Sequence, residues 1–189
     1  GILTSQLMLD RLEQNDSQNL YKQANVMATD YLPSYFQEDN STRAVHSQLN
    51  AAKQYLNSAL WFVEEDGTLI TSANLENTSA PDVIENFDPA EIGSDQYIIG
   101  NYHGYFNEDV ITVMAPVTQG FYIRGYLLIH KPVSYIQETA SRMMFPIYIT
   151  VTVIFILSFI LLLALHFFIY RPLRQITEAA TQYASGNLT

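Results

Sequence analysis

The chain contains no cysteine and few basic residues, and both shortages exclude classes of function. Without cysteine there can be no disulfides, no thiol catalysis and no cysteine-ligated zinc. Nine Lys and Arg residues are outnumbered by nineteen Asp and Glu residues, which gives a formal net charge of −10. Because nucleic acid binding depends on clustered Lys and Arg, we expect no nucleic acid partner.

Recognisable catalytic motifs are also missing. The four histidines, His46, His103, His130 and His166, show no metal-binding spacing, and no H-E-x-x-H sequence occurs. No serine lies in a nucleophile-elbow motif, and no glycine-rich phosphate loop is present. We therefore expect no enzymatic activity, no cofactor and no metal ion in these residues.

One long apolar run dominates the sequence. Residues 145–170 contain no Asp, Glu, Lys or Arg. A helix rises about 1.5 Å per residue and the hydrocarbon core is about 30 Å thick, so about 20 apolar residues can cross a bilayer. The run is longer than that and lies near the C-terminus between charged segments, unlike a cleaved signal peptide. The sequence therefore predicts a transmembrane helix over 145–170 and a lipid bilayer as partner.

The charges on either side of this run predict its orientation. Seven Lys and Arg residues and eighteen Asp and Glu residues precede it, whereas Arg171 and Arg174 follow it directly. Because basic residues close to a membrane helix mark the cytoplasmic side, we expect the N-terminal part outside and the C-terminus in the cytoplasm. The chain opens without Met and stops inside a helical pattern, so we interpret it as a fragment of a longer protein.

Residues 1–142 predict one exterior domain of the α+β class. The spacing of apolar residues predicts a first helix over 1–31 and a second over 41–57. Short β-prone runs separated by turn residues predict an antiparallel sheet across 59–131. Residues 133–144 are expected to continue as a helix into the membrane.

The last segment, residues 171–189, resembles the first helix of a HAMP linker. The matching residues are Pro172, Leu173, Ile176, Ala180 and Gly186. HAMP linkers are parallel four-helix coiled coils of homodimers that relay motion from a transmembrane helix. An apolar seam on a single helix needs partner helices to bury it, which agrees with a homodimer.

The exterior domain resembles the PAS-like single Cache sensors of bacterial sensor histidine kinases. The resemblance rests on the long first helix, the hairpin turn at Asp66-Gly67, the V-x-x-P-V element over 113–117, and Gly125 in the last strand. It implies a sensor on the outer side of the bacterial plasma membrane for an unknown small-molecule or protein stimulus. It also implies a first transmembrane helix before residue 1.

Together the two resemblances imply the sensor and membrane portion of a homodimeric two-component histidine kinase. Its kinase domain would lie downstream and act on a response regulator. Three alternatives stay open: the sensor portion of a chemoreceptor, that of a cyclase, and an envelope module that binds another protein without a small ligand. In each sensor, Pro132 would relay the signal from the sheet to the membrane helix.

Aromatic residues around the predicted strands are the candidate ligand-binding residues, since Cache-type sensors hold small molecules between the sheet and its covering loops. Arg124 is the one cation among them, and its guanidinium suits a carboxylate ligand. The set is Arg124, Tyr97, Tyr102, His103, Tyr105, Tyr122 and Tyr126. The alternative is that the tyrosines pack the sheet and Arg124 pairs with a surface acid such as Glu108.

Three further features are interpreted as structural rather than functional. The acidic clusters at 64–66, 82–95 and 108–109 offer oxygen ligands for divalent cations, but a solvated acidic surface is the preferred interpretation. His166 lies inside the apolar run, where a neutral imidazole can hydrogen-bond across a helix dimer or to headgroups. Trp61 is expected to belong to the sheet core rather than to a ligand cage.

Overall fold

The structure is a computed structural model that describes residues 2–37, 41–76, 78–93 and 96–170. The chain divides into two compact units, residues 1–140 and residues 141–189. The HAMP-like segment 171–189, with its five expected relay residues, lies outside the described residues. Its resemblance therefore stays a prediction.

Helices occupy the positions that apolar spacing indicates. They are α1 (Ile2–Val26), a π-helical turn (Met27–Tyr31), a 3-10 turn (Leu32–Phe36) and α2 (Thr42–Leu56). Pro33 lies in the first turn of the 3-10 segment, where its missing N–H is not needed. α2 ends at Asn57, which has a left-handed φ of 50° and donates its backbone N–H to the carbonyl of Lys53.

Five strands form one antiparallel sheet, and the predicted α+β fold is confirmed. The strands are β1 (Ala59–Glu64), β2 (Leu69–Ala73), β3 (Ile98–Gly100), β4 (Val110–Gln119) and β5 (Tyr122–Pro132). Their spatial order is β2-β1-β5-β4-β3, so the last strand lies at the centre of the sheet. β5 pairs with β1 from Ala59↔His130 to Glu64↔Gly125 and with β4 along nearly its whole length.

The helices cover one face of this sheet. Leu60 and Phe62 of β1 and Leu127 and Ile129 of β5 project to this side, two residues apart as a strand requires. From the helices come Leu20, Ala24, Ala28, Leu32, Val45, Leu49 and Leu56. Burial of a Leu, Ile, Val or Phe side chain stabilises a fold by about 1.5–3 kcal/mol. We call this packed layer the helix-side core.

The connection between β2 and β4 covers the opposite face. Ala59, Trp61 and Val63 of β1 lie under it, with Ile84 from the connection itself buried beside them. Backbone bonds fasten the connection to the first hairpin: Ile84 donates its N–H to the carbonyl of Gly67 at 3.0 Å. A loop segment thus buries this face of the sheet, as the helices bury the other face. We call this layer the loop-side core.

The second unit contains most of helix α3 (Val133–Leu165), which continues as a π-helical turn (His166–Tyr170). Within the described residues one segment, Pro146–Phe168, is long and apolar enough to cross a membrane, with a mean hydropathy of 2.8. The hydroxyls of Thr150 and Thr152 donate to carbonyls four residues earlier, at 2.9 and 2.8 Å. These two polar groups therefore do not need water.

Candidate functional site

Trp61 is the centre of the loop-side core. It projects from β1, is fully buried, and donates its indole N–H to the Asn74 side-chain oxygen at 2.9 Å. This agrees with the expectation that Trp61 belongs to the sheet core. The bond also explains how an indole N–H is buried at little cost, because its one donor is satisfied.

Three aromatic side chains from the turn after β3 pack on Trp61. The ring of Phe106 stacks on the indole at 5.4 Å between centroids and 17° between planes. Tyr102 and Tyr105 approach edge-on, at 6.1 and 5.8 Å. This turn is backbone-strained, since Tyr102 and His103 have φ values of 40° and 54°, a conformation that side chains rarely adopt.

His130 of β5 also packs against these aromatic rings. Its ring centroid lies 4.4 Å from Trp61, 4.7 Å from Tyr102 and 4.9 Å from Phe106. We call Trp61, Tyr102, Phe106 and His130 the aromatic box. One ring nitrogen, Nδ1, pairs with the Thr112 hydroxyl at 2.8 Å, whereas the buried Nε2 has no hydrogen-bond partner. Burial lowers the pKa of His130 to about 3, so the imidazole is neutral at physiological pH.

The other predicted residues of the loop side lie around the box. His103 pairs with Glu91 at 2.9 Å, and the Tyr105 hydroxyl accepts the backbone N–H of Glu85 at 3.2 Å. Tyr126 packs its ring on Phe87 at 5.6 Å. Burial, and to a smaller extent the charges of neighbouring groups, raises the pKa of Tyr102 and of Tyr126, so both stay neutral donors.

Arg124 is not brought together with the loop-side tyrosines. The register of β4 and β5 shifts at Val117/Thr118, opposite Arg124, and the guanidinium lies over the ring of Phe36, 5.5 Å from its centroid. Phe36 packs against the helix-side core, as Tyr97 does. Tyr122 is 76% exposed at the tip of the β4–β5 hairpin. The predicted set is therefore divided between the two faces of the sheet and the tip of a hairpin.

The described part of the first unit contains at least three cavities. One, of about 280 Å³, is lined by Glu85, Asn86, His103 and Tyr105. A recess of about 250 Å³ lies between the covering connection and the sheet, lined in part by Ile92, Met114 and Tyr126. A larger groove of about 680 Å³ opens near the end of β5, with Phe106, Pro132 and Tyr135 among its lining residues. Among the predicted ligand residues, His103 and Tyr105 line the first of these cavities and Tyr126 lines the recess. Among the predicted relay residues, Pro132 lines the groove.

Pro132 joins the sheet to α3. It pairs with Val110 in the β4–β5 ladder, and the next residue, Val133, donates its backbone N–H to the carbonyl of Asp109 at 3.0 Å. Ile136, one turn further on, is buried in the helix-side core. The first turn of α3 is thus held by both β4 and the helix layer.

The structure also describes parts of the acidic clusters and of the apolar run. Within the described part of the chain no cluster of three or more metal-binding side chains occurs. Asp66 instead accepts the backbone N–H of Thr68 at 2.9 Å in the first hairpin turn, and this bond lowers the pKa of its carboxyl. His166 opens the π-helical turn of the second unit, with its ring 5.8 Å from Phe167.

His130 is the residue that sequence reasoning missed. It lies in the apolar run YLLIHKP of β5, in step with Tyr126 and Leu128, whose side chains project to the loop side. Because side chains alternate between the two faces along a strand, the sequence does predict that His130 projects to the same face as Tyr126 and Leu128. The sequence contained no sign that the rings of the turn after β3 would close over it.

No protein-family model matches the chain, and no curated protein matches it. Solved structures do. The extracellular domain of vpHK1S-Z8, described as a histidine kinase, is 11% identical, with a TM-score of 0.52 over 73% of this chain and 60% of that one. The V. cholerae histidine kinase DctB sensor domain is 18% identical, with a TM-score of 0.48 over 71% of this chain and 57% of that one. The ligand-binding domain of the Campylobacter jejuni chemoreceptor Tlp3, in complex with L-valine, is 14% identical, with a TM-score of 0.46 over 72% and 60%.

This chain spans about 60% of the length of the vpHK1S-Z8 domain. At 11% identity that likeness shows the fold alone. In this chain the fold consists of helices on one face of a five-stranded antiparallel sheet and a long covering connection on the other. The first unit therefore has the fold of a Cache-like extracytoplasmic sensor domain, and a candidate transmembrane helix follows it.

Proposed function

We propose that this chain is the signal-sensing part of a membrane receptor, with the first unit outside the cell and the C-terminus in the cytoplasm. One observation carries the proposal: a Cache-like sensor fold and a candidate membrane span occur on one short chain, in that order. The basic residues that follow the span support the orientation.

The small-molecule stimulus binds in the recess between the covering connection and the sheet. Its lining combines apolar side chains, Ile92 and Met114, with the half-buried Tyr126 and the amide of Gln96. Mostly apolar walls with a few polar groups are typical of small-molecule sites. At about 250 Å³ the recess suits a compact ligand.

The signal passes from β5 to α3 through Pro132. A ligand against β4 and β5 acts on the two strands whose ends are bonded to the first turn of α3. The ligand must bind two states of the domain unequally, because equal binding shifts no equilibrium. Movement of β5 relative to the helix layer is the simplest change that α3 would follow.

More specifically, we propose that the whole protein is a homodimeric two-component histidine kinase with a HAMP linker over 171–189. A kinase domain downstream of the linker would act on a response regulator. The support is the Pro172-Leu173 start and the Gly186 end of the HAMP-like helix. Chemoreceptor and cyclase outputs fit the same sensor. The residues that follow Thr189 in the full gene discriminate among them: a phosphoacceptor helix and ATP-binding domain indicate a kinase, and a long methylatable coiled coil indicates a chemoreceptor.

A second candidate function is a docking module for another envelope protein. Phe121 is fully exposed at the tip of the β4–β5 hairpin, beside the exposed Tyr122. Exposed aromatic pairs are common at protein interfaces. Phe121→Ser should leave small-molecule responses unchanged if the receptor is a ligand sensor and abolish signalling if the hairpin docks a partner.

Membrane orientation is tested by single cysteines in the cysteine-free chain. Arg43→Cys should react with a membrane-impermeant maleimide in intact cells, and Arg174→Cys only after lysis. The unaltered chain is the blank, since it contains no thiol. Labelling of both variants from the same side would contradict the proposal.

Ligand binding in the recess is tested by thermal shifts across a panel of small molecules. Tyr126→Leu should remove the shift caused by a ligand that binds in the recess. Tyr122→Leu, the same change at an exposed position four residues away on the same strand, should retain it. Equal shifts in both variants would place the ligand elsewhere.

A further inference from the structure

The function proposed above places no ligand in the groove near the end of β5. It holds about 680 Å³, larger than the recess, and Phe106, Glu108, Pro132 and Tyr135 are among its lining residues. Its other walls come from the end of α2 and from the turn after β2. A ligand in this groove would therefore touch the first turn of α3 directly.

Phe106 belongs both to the lining of this groove and to the aromatic box. It is among the residues that line the groove, yet it is only 4% exposed. Its ring stacks on Trp61 at 5.4 Å and lies 4.9 Å from the His130 ring. Displacement of this one side chain would open a path from the groove to His130.

His130 carries an unused hydrogen-bonding atom behind Phe106. Its Nε2 is buried and has no partner, whereas the other ring nitrogen is already paired with Thr112. A buried polar atom without a partner is destabilising. A ligand that reached Nε2 would gain a hydrogen bond that the unliganded protein does not make.

The turn that carries Phe106 is strained. Tyr102, His103 and Gly104 have successive φ values of 40°, 54° and 81°, and only the glycine adopts such values freely. Backbone strain of this kind persists where the surrounding packing holds it, and it occurs often at ligand clamps and switches. Packing of Tyr102 and Phe106 on Trp61 holds this turn closed.

We propose that the groove and the aromatic box together form a second ligand site, gated by Phe106, for an uncharged planar ring that bears a hydrogen-bonding group. The ligand ring would replace Phe106 on the indole of Trp61, and its polar group would pair with His130 Nε2. The ligand is uncharged because the box contains no ionised group. A ligand bound here would affect signalling through Pro132 and Tyr135, and this part of the proposal rests on the proposed sensory function.

Nicotinamide is a suitable probe, since it is planar, uncharged and able to quench indole fluorescence by stacking. Trp61 is the only tryptophan of the chain, so the fluorescence of the 189-residue protein in detergent reports the box alone. Quenching of the unaltered protein should saturate with nicotinamide. Phe106→Ala should tighten binding at least tenfold because the gate is removed. His130→Phe should leave only linear, collisional quenching.

His46→Phe is the matched control, because His46 is exposed on α2, and it should bind like the unaltered protein. A saturable change in the ¹⁵N shift of His130 Nε2 in the unaltered protein serves as a second measurement if His130→Phe fails to fold. Linear quenching in both the unaltered protein and a folded Phe106→Ala variant would overturn the site. Saturation in Phe106→Ala alone would overturn the gate. Neither result depends on the membrane orientation test, so the sensory proposal stands or falls separately.

Discussion

Among single residues, His130 gives the sharpest pH dependence. Its pKa falls from 6.5 to about 3 on burial, because the charged imidazolium would lose its hydration among Trp61, Tyr102 and Phe106. The pKa of the folded state therefore lies below that of the unfolded state, and the unfolded chain takes up the proton first as pH falls. The stability that neutral His130 contributes is complete above pH 6.5 and is lost progressively toward pH 3.

We expect His130→Phe to remove this part of the acid sensitivity. Between pH 6.5 and 3 one such group changes the free energy of unfolding by up to about 1.4 kcal/mol per pH unit. Thermal midpoints measured across this range should fall less steeply for His130→Phe than for the unaltered chain. His46→Phe is the matched histidine substitution, and parallel curves for the unaltered chain and both variants would contradict the assignment.

Arg124 gives a second test at the same scale. It is exposed, and its one described partner is the ring of Phe36. An exposed cation–π contact contributes about 0.5–1 kcal/mol, so Arg124→Ala should lower the thermal midpoint slightly and leave ligand-dependent shifts unchanged. Arg43→Ala, an exposed arginine on α2, is the control. Loss of every ligand-dependent shift in Arg124→Ala would instead support Arg124 as the ligand anchor that the sequence predicted.

Among the elements, the contact of β5 with β1 is the least tolerant of change. Gly125 faces the end of β1 so closely that a Cβ at this position would press on the carbonyl oxygen of Val63. That oxygen belongs to a backbone fixed in the ladder and has little freedom to shift. The glycine that supports the Cache resemblance thus has a steric reason to be there.

We expect Gly125→Ala to lower the free energy of unfolding by about 1–3 kcal/mol, the usual cost of overpacking. Chemical denaturation monitored by circular dichroism measures it. Thr118→Ala, an exposed position on neighbouring β4, should change stability by no more than about 0.5 kcal/mol. Equal effects at the two positions would show that β1 and β5 separate easily here.

Much of this architecture was predictable because local signals agree with the fold. The Asp66-Gly67 turn fixes the first hairpin, through the bond from Thr68 to the Asp66 carboxylate. Helical spacing placed α1 and α2, and the apolar runs placed β4 and β5. The binding surfaces were less predictable for two reasons. The register shift opposite Arg124 interrupts the alternation of side chains along β5, and the covering connection has no periodic pattern of apolar residues. The aromatic box depends on a turn whose positive φ values the sequence does not reveal.

At the scale of the whole molecule, the excess of acidic residues acts as a diffuse charge. The net charge is −10, and the described residues contain no cluster of three or more metal-binding side chains. The repulsion among these charges is screened by any salt. If the acidic segments form a solvated surface, as the sequence predicts, Mg²⁺ should have no effect beyond that of ionic strength.

We expect thermal midpoints in MgCl₂ and in NaCl to coincide when ionic strength is held constant. A calcium series serves as a parallel check. A midpoint raised by several degrees in either divalent salt alone would reveal a bound cation and contradict the interpretation of the acidic segments as solvated surface.

The edge of the sheet beyond β3 has a consequence for crowded copies of the protein. Within the described residues β3 pairs with Val110–Thr112, and β4 continues beyond it to Gln119. An unpaired strand edge can add a strand from another chain, and proline is a residue that natural sheets use to prevent it, since it has no N–H to offer. Pro116 lies midway along this stretch, so we expect a Pro116→Val variant to aggregate more readily than the unaltered chain at high concentration.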